Sequence, residues 1–169
     1  MMNCLSWFKR NQVKQILVLG MENTGKFSLF QALLDNHFDE ESIKPQLTDF
    51  NLNVKVNDKP NHLHFYIDST AEDRKKLPLS PYAVLCIIDL SGETAEMDYQ
   101  DYKSRVAIHY PNSKTLFVGT KQDLCVKSLN FPELVITSAK TRMGIDALKH
   151  SLENLGIHQP YQSKTPGLK

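Results

Sequence analysis

Gly20, Gly25 and Lys26 stand at the spacing G-x-x-x-x-G-K, directly after the apolar run Gln15 to Leu19. That spacing suits phosphate binding. Backbone N–H groups of a loop wrapped before a helix N-terminus converge inward, and the helix dipole adds positive potential there. Lys26 supplies a movable full charge for β- and γ-phosphates. The candidate phosphate-binding set is Gly20, Glu22, Asn23, Thr24, Gly25, Lys26, Phe27 and Ser28. One position departs from the pattern. The residue after the lysine is ordinarily Ser or Thr, whose hydroxyl holds Mg²⁺, and here it is Phe27. Ser28 is one residue further along a helix, about 100° round the axis, and cannot substitute without a register change.

Three further stretches carry polar chemistry at the ends of apolar runs. Asp68 closes the run Leu63, Phe65, Ile67. Thr120-Lys121-Gln122-Asp123 follows Leu116 to Gly119. Thr137-Ser138-Ala139-Lys140 follows Leu134 to Ile136.

Strands and helices alternate to position these stretches. The first strand is Gln15 to Leu19. A helix is expected from Lys26 to about Asn36, with Phe27, Phe30, Leu33 and Leu34 at helical spacing. Phe50, Leu52, Val54 and Val56 alternate along a half-buried strand from Asp49 to Asn57, and Asn57 to Asn61 reads as a turn. The strand ending at Asp68 completes an antiparallel hairpin. Ser69 to Pro81 is charged and holds Pro78 and Pro81, leaving room for one or two helical turns at most. Ala83 to Asp89 is continuously apolar until its last residue, as in a strand buried on both faces. A helix is expected from Ser91 to Tyr110, with Met97, Tyr102 (or Tyr99), Val106 and His109 on one face and Pro111 ending it. Two short strands follow, Thr115 to Gly119 and Leu134 to Thr137. The last helix is Gly144 to Leu155, striped by Ile145, Leu148, Leu152 and Leu155. The expected fold is α/β, a mostly parallel six-stranded sheet with one antiparallel edge strand and helices on both faces. Ligands in such sheets bind at the carboxyl ends of the strands.

The chain has 169 residues, 41% of them hydrophobic, enough for one globular core. The expected division is an N-terminal arm (residues 1–14), one domain (15–156) and a loose tail (157–169). A net charge of +1 gives no electrostatic case for nucleic-acid binding. Cys4, Cys86 and Cys125 are scattered, without a C-x-x-C pair, which suits a reducing, cytoplasmic compartment. No apolar run reaches membrane-spanning length, and no secretory signal is expected. Leu5, Trp7 and Phe8 beside Lys9, Arg10 and Lys14 fit either a peripheral membrane contact or an arm tucked against the domain. Met2 rules out the myristoylation pattern, Cys4 is a candidate for palmitoylation, and the final Pro166-Gly167-Leu168-Lys169 has no prenylation cysteine. The histidines show no metal-ligand clustering; His62 and His64 share a strand face that reads as solvent-facing. A monomer is expected.

In this order, each at a strand end, the four stretches resemble the small GTPases of the Ras superfamily over about residues 14–156. Ile16 to Lys26 is similar to the Arf branch, as is Lys121-Gln122-Asp123-Leu124. Phe117 to Lys121 is similar to the Rho branch, and Thr137 to Asp146 to the Rab branch. The resemblance implies a P-loop small-GTPase-like fold and GTP/GDP as ligand. It implies that Asp123 accepts from guanine N1–H and the exocyclic amine, a pattern that adenine does not offer. The stem of Lys121 lies over the base, Ala139 gives its N–H to guanine O6, Ser138 and Lys140 support that turn, and Thr120 ties the loop to the phosphate loop.

The metal and hydrolytic half of the family pattern is altered. Phe27 replaces one Mg²⁺ ligand. The first-switch threonine falls on Pro45 or Lys44, with Thr48 the nearest hydroxyl. Asp68 alone makes a weak metal site. In the second switch, Ala71 stands for the glycine that meets the γ-phosphate, and Glu72 for the residue that positions the attacking water. Glu22 and Glu72 together set two carboxylates toward the γ-phosphate. The second-switch helix and the segment between Asp123 and Leu134 are both short. The function expected from the resemblance is guanine-nucleotide binding with little or no GTP hydrolysis, Mg²⁺ use open, acting through protein partners on the switch surface in signalling or membrane traffic. Two alternatives stay open: an active Arf- or Rab-like switch, and a nucleotide-free pseudoGTPase scaffold.

Overall fold

A computed structural model of the chain describes residues 13–35, 49–56, 59–68, 77–127 and 131–157, with the second strand and the start of the third described in backbone only. The strands are β1 (Lys14–Leu19), β2 (Asp49–Val56), β3 (Lys59–Ile67), β4 (Ala83–Asp89), β5 (Lys114–Thr120) and β6 (Leu134–Ile136). The helices are α1 (Lys26–Asp35), α2 (Ala95–His109) and α3 (Ile145–Ile157). The sheet order is β2-β3-β1-β4-β5-β6. Strands β3, β1, β4, β5 and β6 run parallel, and β2 lies antiparallel along β3.

Alternation along each strand builds two apolar layers. Ile16 and Val18 of β1, with Leu85 and Ile87 of β4, pack under Leu29, Phe30 and Leu33 of α1 and Ile145, Leu148 and Leu152 of α3. Leu17 and Leu19, with Val84, Cys86 and Ile88, pack on the other face under Tyr99, Tyr102 and Val106 of α2. The apolar run of β4 is thus buried on both faces. Each fully buried aliphatic side chain contributes about 1.5–3 kcal/mol of transfer free energy. Phe30 meets Phe65 across the first layer with ring centroids 5.6 Å apart.

Four expectations need correction. The turn expected over Asn57 to Asn61 is shorter, because Val56 pairs with Lys59 and residues 59–61 already belong to β3. In α1, Leu34 stands exposed; Leu29, Phe30, Ala32 and Leu33 are buried instead. Helix α2 begins at Ala95, not Ser91. Leu90 N–H continues onto Thr120 O at 3.0 Å, Gly92 N–H closes a turn on Asp89 O at 3.3 Å, and Thr94 Oγ1 bonds Asp98 Oδ2 at 2.9 Å, so the chain turns before it coils. The buried stripe of α2 is Ala95, Tyr99, Tyr102 and Val106, while Met97 is 66% exposed and His109 lies outside. Positions 95, 99, 102 and 106 follow the helical period, and 97 falls on the opposite side.

No described helix is long and apolar enough to cross a membrane. Cys4, Lys44, Pro45, Thr48, Ala71 and Glu72 lie outside the described residues, as do the N-terminal arm before Val13 and the tail beyond Ile157.

Candidate functional site

The parallel strands end together on one edge of the sheet. Gly20 follows β1, Asp68 follows β3, Asp89 ends β4, Lys121 follows β5, and Thr137-Ser138 follow β6.

The loop from Gly20 to Gly25 turns sharply because Asn23 (φ 60°) and Gly25 (φ 80°) both take left-handed conformations. Glycine takes such a φ without steric cost, and asparagine is among the few other residues that visit it. Thr24 is buried, and its hydroxyl donates to Met21 O at 3.0 Å inside the loop. Lys26 is buried, and its ammonium donates to Gly20 O at 2.7 Å and Met21 O at 2.6 Å. Burial pushes the Lys26 pKa below its ordinary value, while the charges of Asp68 and Glu22 act the other way. Helix α1 starts when Leu29 N–H reaches Gly25 O at 2.9 Å. From Glu22 to Ser28, no backbone N–H donates to an acceptor among the described residues. A loop whose donors are unspent at a helix N-terminus is a receptor for anions.

Phe27 turns from this loop into the core, half-buried against the layer that holds Ile16, Phe30 and Phe65. Ser28 is half-buried, and its hydroxyl has no partner among the described residues. Asp68 extends the β1–β3 ladder through its N–H on Val18 O at 3.0 Å. Among the described residues, no three His, Cys, Asp or Glu side chains converge on a metal-sized site.

The Thr120 to Asp123 stretch docks on the first loop at two points. The Thr120 hydroxyl, buried, lies 2.5 Å from Thr24 O and 3.1 Å from Ile88 O. Lys121 adopts φ 57° and reaches back, donating to Asn23 O at 2.5 Å and to Asp89 Oδ2 at 2.6 Å. Gly25 sits in the gap under them, where a Cβ added to it would lie 3.6 Å from Lys121 Cε. Gln122 to Leu124 then form one 3₁₀ turn.

The last stretch completes the arrangement. Thr137 is fully buried, with N–H and hydroxyl both on Gly119 O at 2.7 Å. Gln122 N–H donates to Thr137 O at 3.1 Å, so the two loops share a backbone bond. Ser138, also buried, donates its hydroxyl to Asp123 Oδ1 at 2.5 Å and accepts from Thr141 N–H at 3.2 Å. Asp123 Oδ2 has no partner among the described residues, and neither does the N–H of Ala139. The side chain of Lys140 is exposed and bonds to none of the described residues; the turn is held by Ser138, Thr141 and Met143 instead.

Two participants escape a reading by motif. Asp89 binds Lys121, and Ser91 holds Asp89 Oδ1 through N–H at 3.0 Å and hydroxyl at 2.6 Å. Burial raises the Asp89 pKa, but the hydrogen bonds from Lys121 and Ser91 and the lysine charge outweigh it and hold the carboxyl below its usual value. The available signal was a lone aspartate ending a fully apolar strand. Arg142, at φ 64°, sends Nη1 to Ala32 O at 3.4 Å and links the last turn to α1. Its signal is the Gly144 that follows, which marks a tight turn.

The assembled site therefore has an anion-receptive loop, a buried lysine and, across a bonded gap, an outward carboxylate with a backbone N–H beside it. No protein-family model matches the chain.

Proposed function

We propose that this protein binds guanine nucleotides on a P-loop, small-GTPase-like fold, hydrolyses GTP slowly or not at all, and acts through protein partners. Lys26 and the N–H groups from Glu22 to Ser28 would take the phosphates. Asp123 would take the guanine amide and amine, and the Ala139 N–H its O6. The observation that carries the reading is the Ser138–Asp123 bond at 2.5 Å, set beside an uncommitted N–H. It fixes one carboxylate oxygen and leaves the other to accept. Guanine matches a paired acceptor and donor; adenine would leave these groups unpaired, which is costly at a desolvated site.

Impaired hydrolysis is supported by Phe27, which commits the first metal-ligand position to the core. The Glu72 and Ala71 substitutions in the sequence point the same way. The proposed setting is cytoplasmic, with the N-terminal arm as a possible membrane contact and Mg²⁺ not required for binding.

The test is titration of the purified protein with fluorescent GDP and GTP, in Mg²⁺ and in EDTA. Binding that persists in EDTA without turnover supports the proposal. Strong Mg²⁺ dependence with turnover makes the protein an active switch. Absence of binding in both buffers leaves a scaffold without ligand.

A further inference from the structure

We propose that Asp89 is a positioning residue that anchors Lys121 across the gap between the phosphate loop and the base loop, and thereby sets how slowly nucleotide leaves. The inference rests on the guanine-nucleotide reading and deepens it.

The geometry has three parts. Lys121 lies in the left-handed region at φ 57°, which an L residue with a Cβ adopts only where its surroundings hold it. Its ammonium is fixed by one neutral acceptor, Asn23 O at 2.5 Å, and one charged acceptor, Asp89 Oδ2 at 2.6 Å. Asn23 is itself left-handed, so the bond joins two residues whose backbones both lie in that region. The third part is Ser91, which occupies Asp89 Oδ1 with two donors and leaves Oδ2 aimed at the lysine.

Charge explains why the carboxylate matters. A lysine four carbons long has many rotamers, and a neutral carbonyl alone holds it weakly. A charge-assisted bond is roughly twice as strong as a neutral one. The pair is neither fully exposed, where ion pairs are worth little, nor stripped of solvent. With the ammonium pinned at both ends, the stem of Lys121 spans the gap beside Gly25, where it can cover a bound base. Without Asp89, the stem is free to swing off, and the loop that carries Asp123 loses one of its two side-chain ties to the phosphate loop. The other tie, through Thr120, remains.

The experiment measures dissociation of fluorescent GDP from wild type, Asp89→Asn, Asp89→Ala, Lys121→Met and the double variant Asp89→Ala/Lys121→Met, with melting temperatures recorded for each. Asp89→Asn keeps the shape and the Ser91 bonds, so it carries the test if the alanine variant folds poorly. Each single variant is expected to speed release about tenfold, the value of one charge-assisted bond. The double variant should release no faster than Lys121→Met alone, because Asp89 acts only through that lysine. Additive effects, or wild-type release from both Asp89 variants, overturn the proposal. Wild type that binds no GDP overturns the nucleotide reading itself, and the anchor with it; wild type that binds while Asp89 proves silent removes the anchor alone.

Discussion

The hydroxyl of Thr120 meets the backbone carbonyl of Thr24 across 96 positions of sequence, at 2.5 Å. The bond closes the site: it locks the end of β5 onto the loop after β1, with Ile88 O as the second acceptor at 3.1 Å.

Thr120→Val keeps the shape and removes the hydroxyl that faces Thr24 O and Ile88 O. The expected cost is about 1–3 kcal/mol, the penalty of leaving a buried acceptor without its donor. For a chain of this size that lowers the melting temperature by about 2–12 °C. Thr120→Ser should recover most of the loss. Thermal unfolding followed by circular dichroism decides it: equal melting temperatures for Thr120→Val and wild type would mean that the bond contributes nothing net.

Asp123 and Ser138 couple binding to the last loop. Asp123 is exposed, and its one bond goes to the buried hydroxyl of Ser138. Asp123→Ala should cost about 1–3 kcal/mol of stability, because it leaves that hydroxyl without its acceptor, while abolishing guanine-nucleotide binding. Ser138→Ala leaves the carboxylate in place but free to rotate, and should weaken GDP binding about tenfold. Isothermal titration gives the affinities. Intact binding by Asp123→Ala would remove the guanine reading.

Much of this site is local chemistry, which a linear reading can reach. The glycine spacing of the first loop, the apolar runs that end at Asp68, Thr120 and Thr137, and the stripe Ile145, Leu148, Leu152 on α3 all follow from period and residue type. What was not legible depended on a third body. Asp89 looks like the polar end of a buried strand until Lys121 arrives from β5. Ser91 looks like a helix start until its hydroxyl is found on Asp89 rather than on a helix N–H. On α2, His109 satisfies the helical period with Tyr102 and Val106, and only the position of the sheet leaves it outside; Met97 stands half a turn away from Val106 and fits no stripe with it.

Gly144 is the turn on which the last stretch depends. Its φ is +72°, and a Cβ there would lie 1.9 Å from Ile136 O, inside any tolerable contact. Gly144→Ala must move the backbone of β6 or the start of α3. The expected destabilisation is at least about 3 kcal/mol, since strain and overlap add. Chemical denaturation measures it. A variant within about 0.5 kcal/mol of wild type, the range of an ordinary surface substitution, would refute the clash.

Phe27 is half-buried against the core, so Phe27→Ser gives up packing and installs a hydroxyl at the first metal-ligand position of the family pattern. The packing loss should be about 1–3 kcal/mol, below the cost of truncating a fully buried phenylalanine. If Phe27 occupies that position, the variant's GTP affinity should become several-fold more sensitive to EDTA than that of wild type. Titrations in Mg²⁺ and in EDTA supply the ratio. An unchanged ratio would show that the register assigned to the metal position is wrong.

Lys26 links phosphate binding to pH. Burial lowers its pKa from an ordinary 10.5, against the opposing pull of Asp68 and Glu22. In the unfolded chain the lysine holds its proton up to 10.5. Between the lowered folded value and that limit the unfolded state binds more protons, so folding stability rises with pH through the window. Phosphate binding has the opposite sign. An anion favours the charged ammonium and raises its pKa, so binding takes up a proton and weakens as pH climbs through the unliganded value. The check is GDP affinity from neutral pH to about pH 10 for wild type and Lys26→Arg, whose guanidinium stays charged across that range. The base's own titration is common to both proteins and cancels in the difference. Wild type should lose affinity with rising pH more steeply than the arginine variant; parallel curves would mean that Lys26 does not carry its charge to the phosphates.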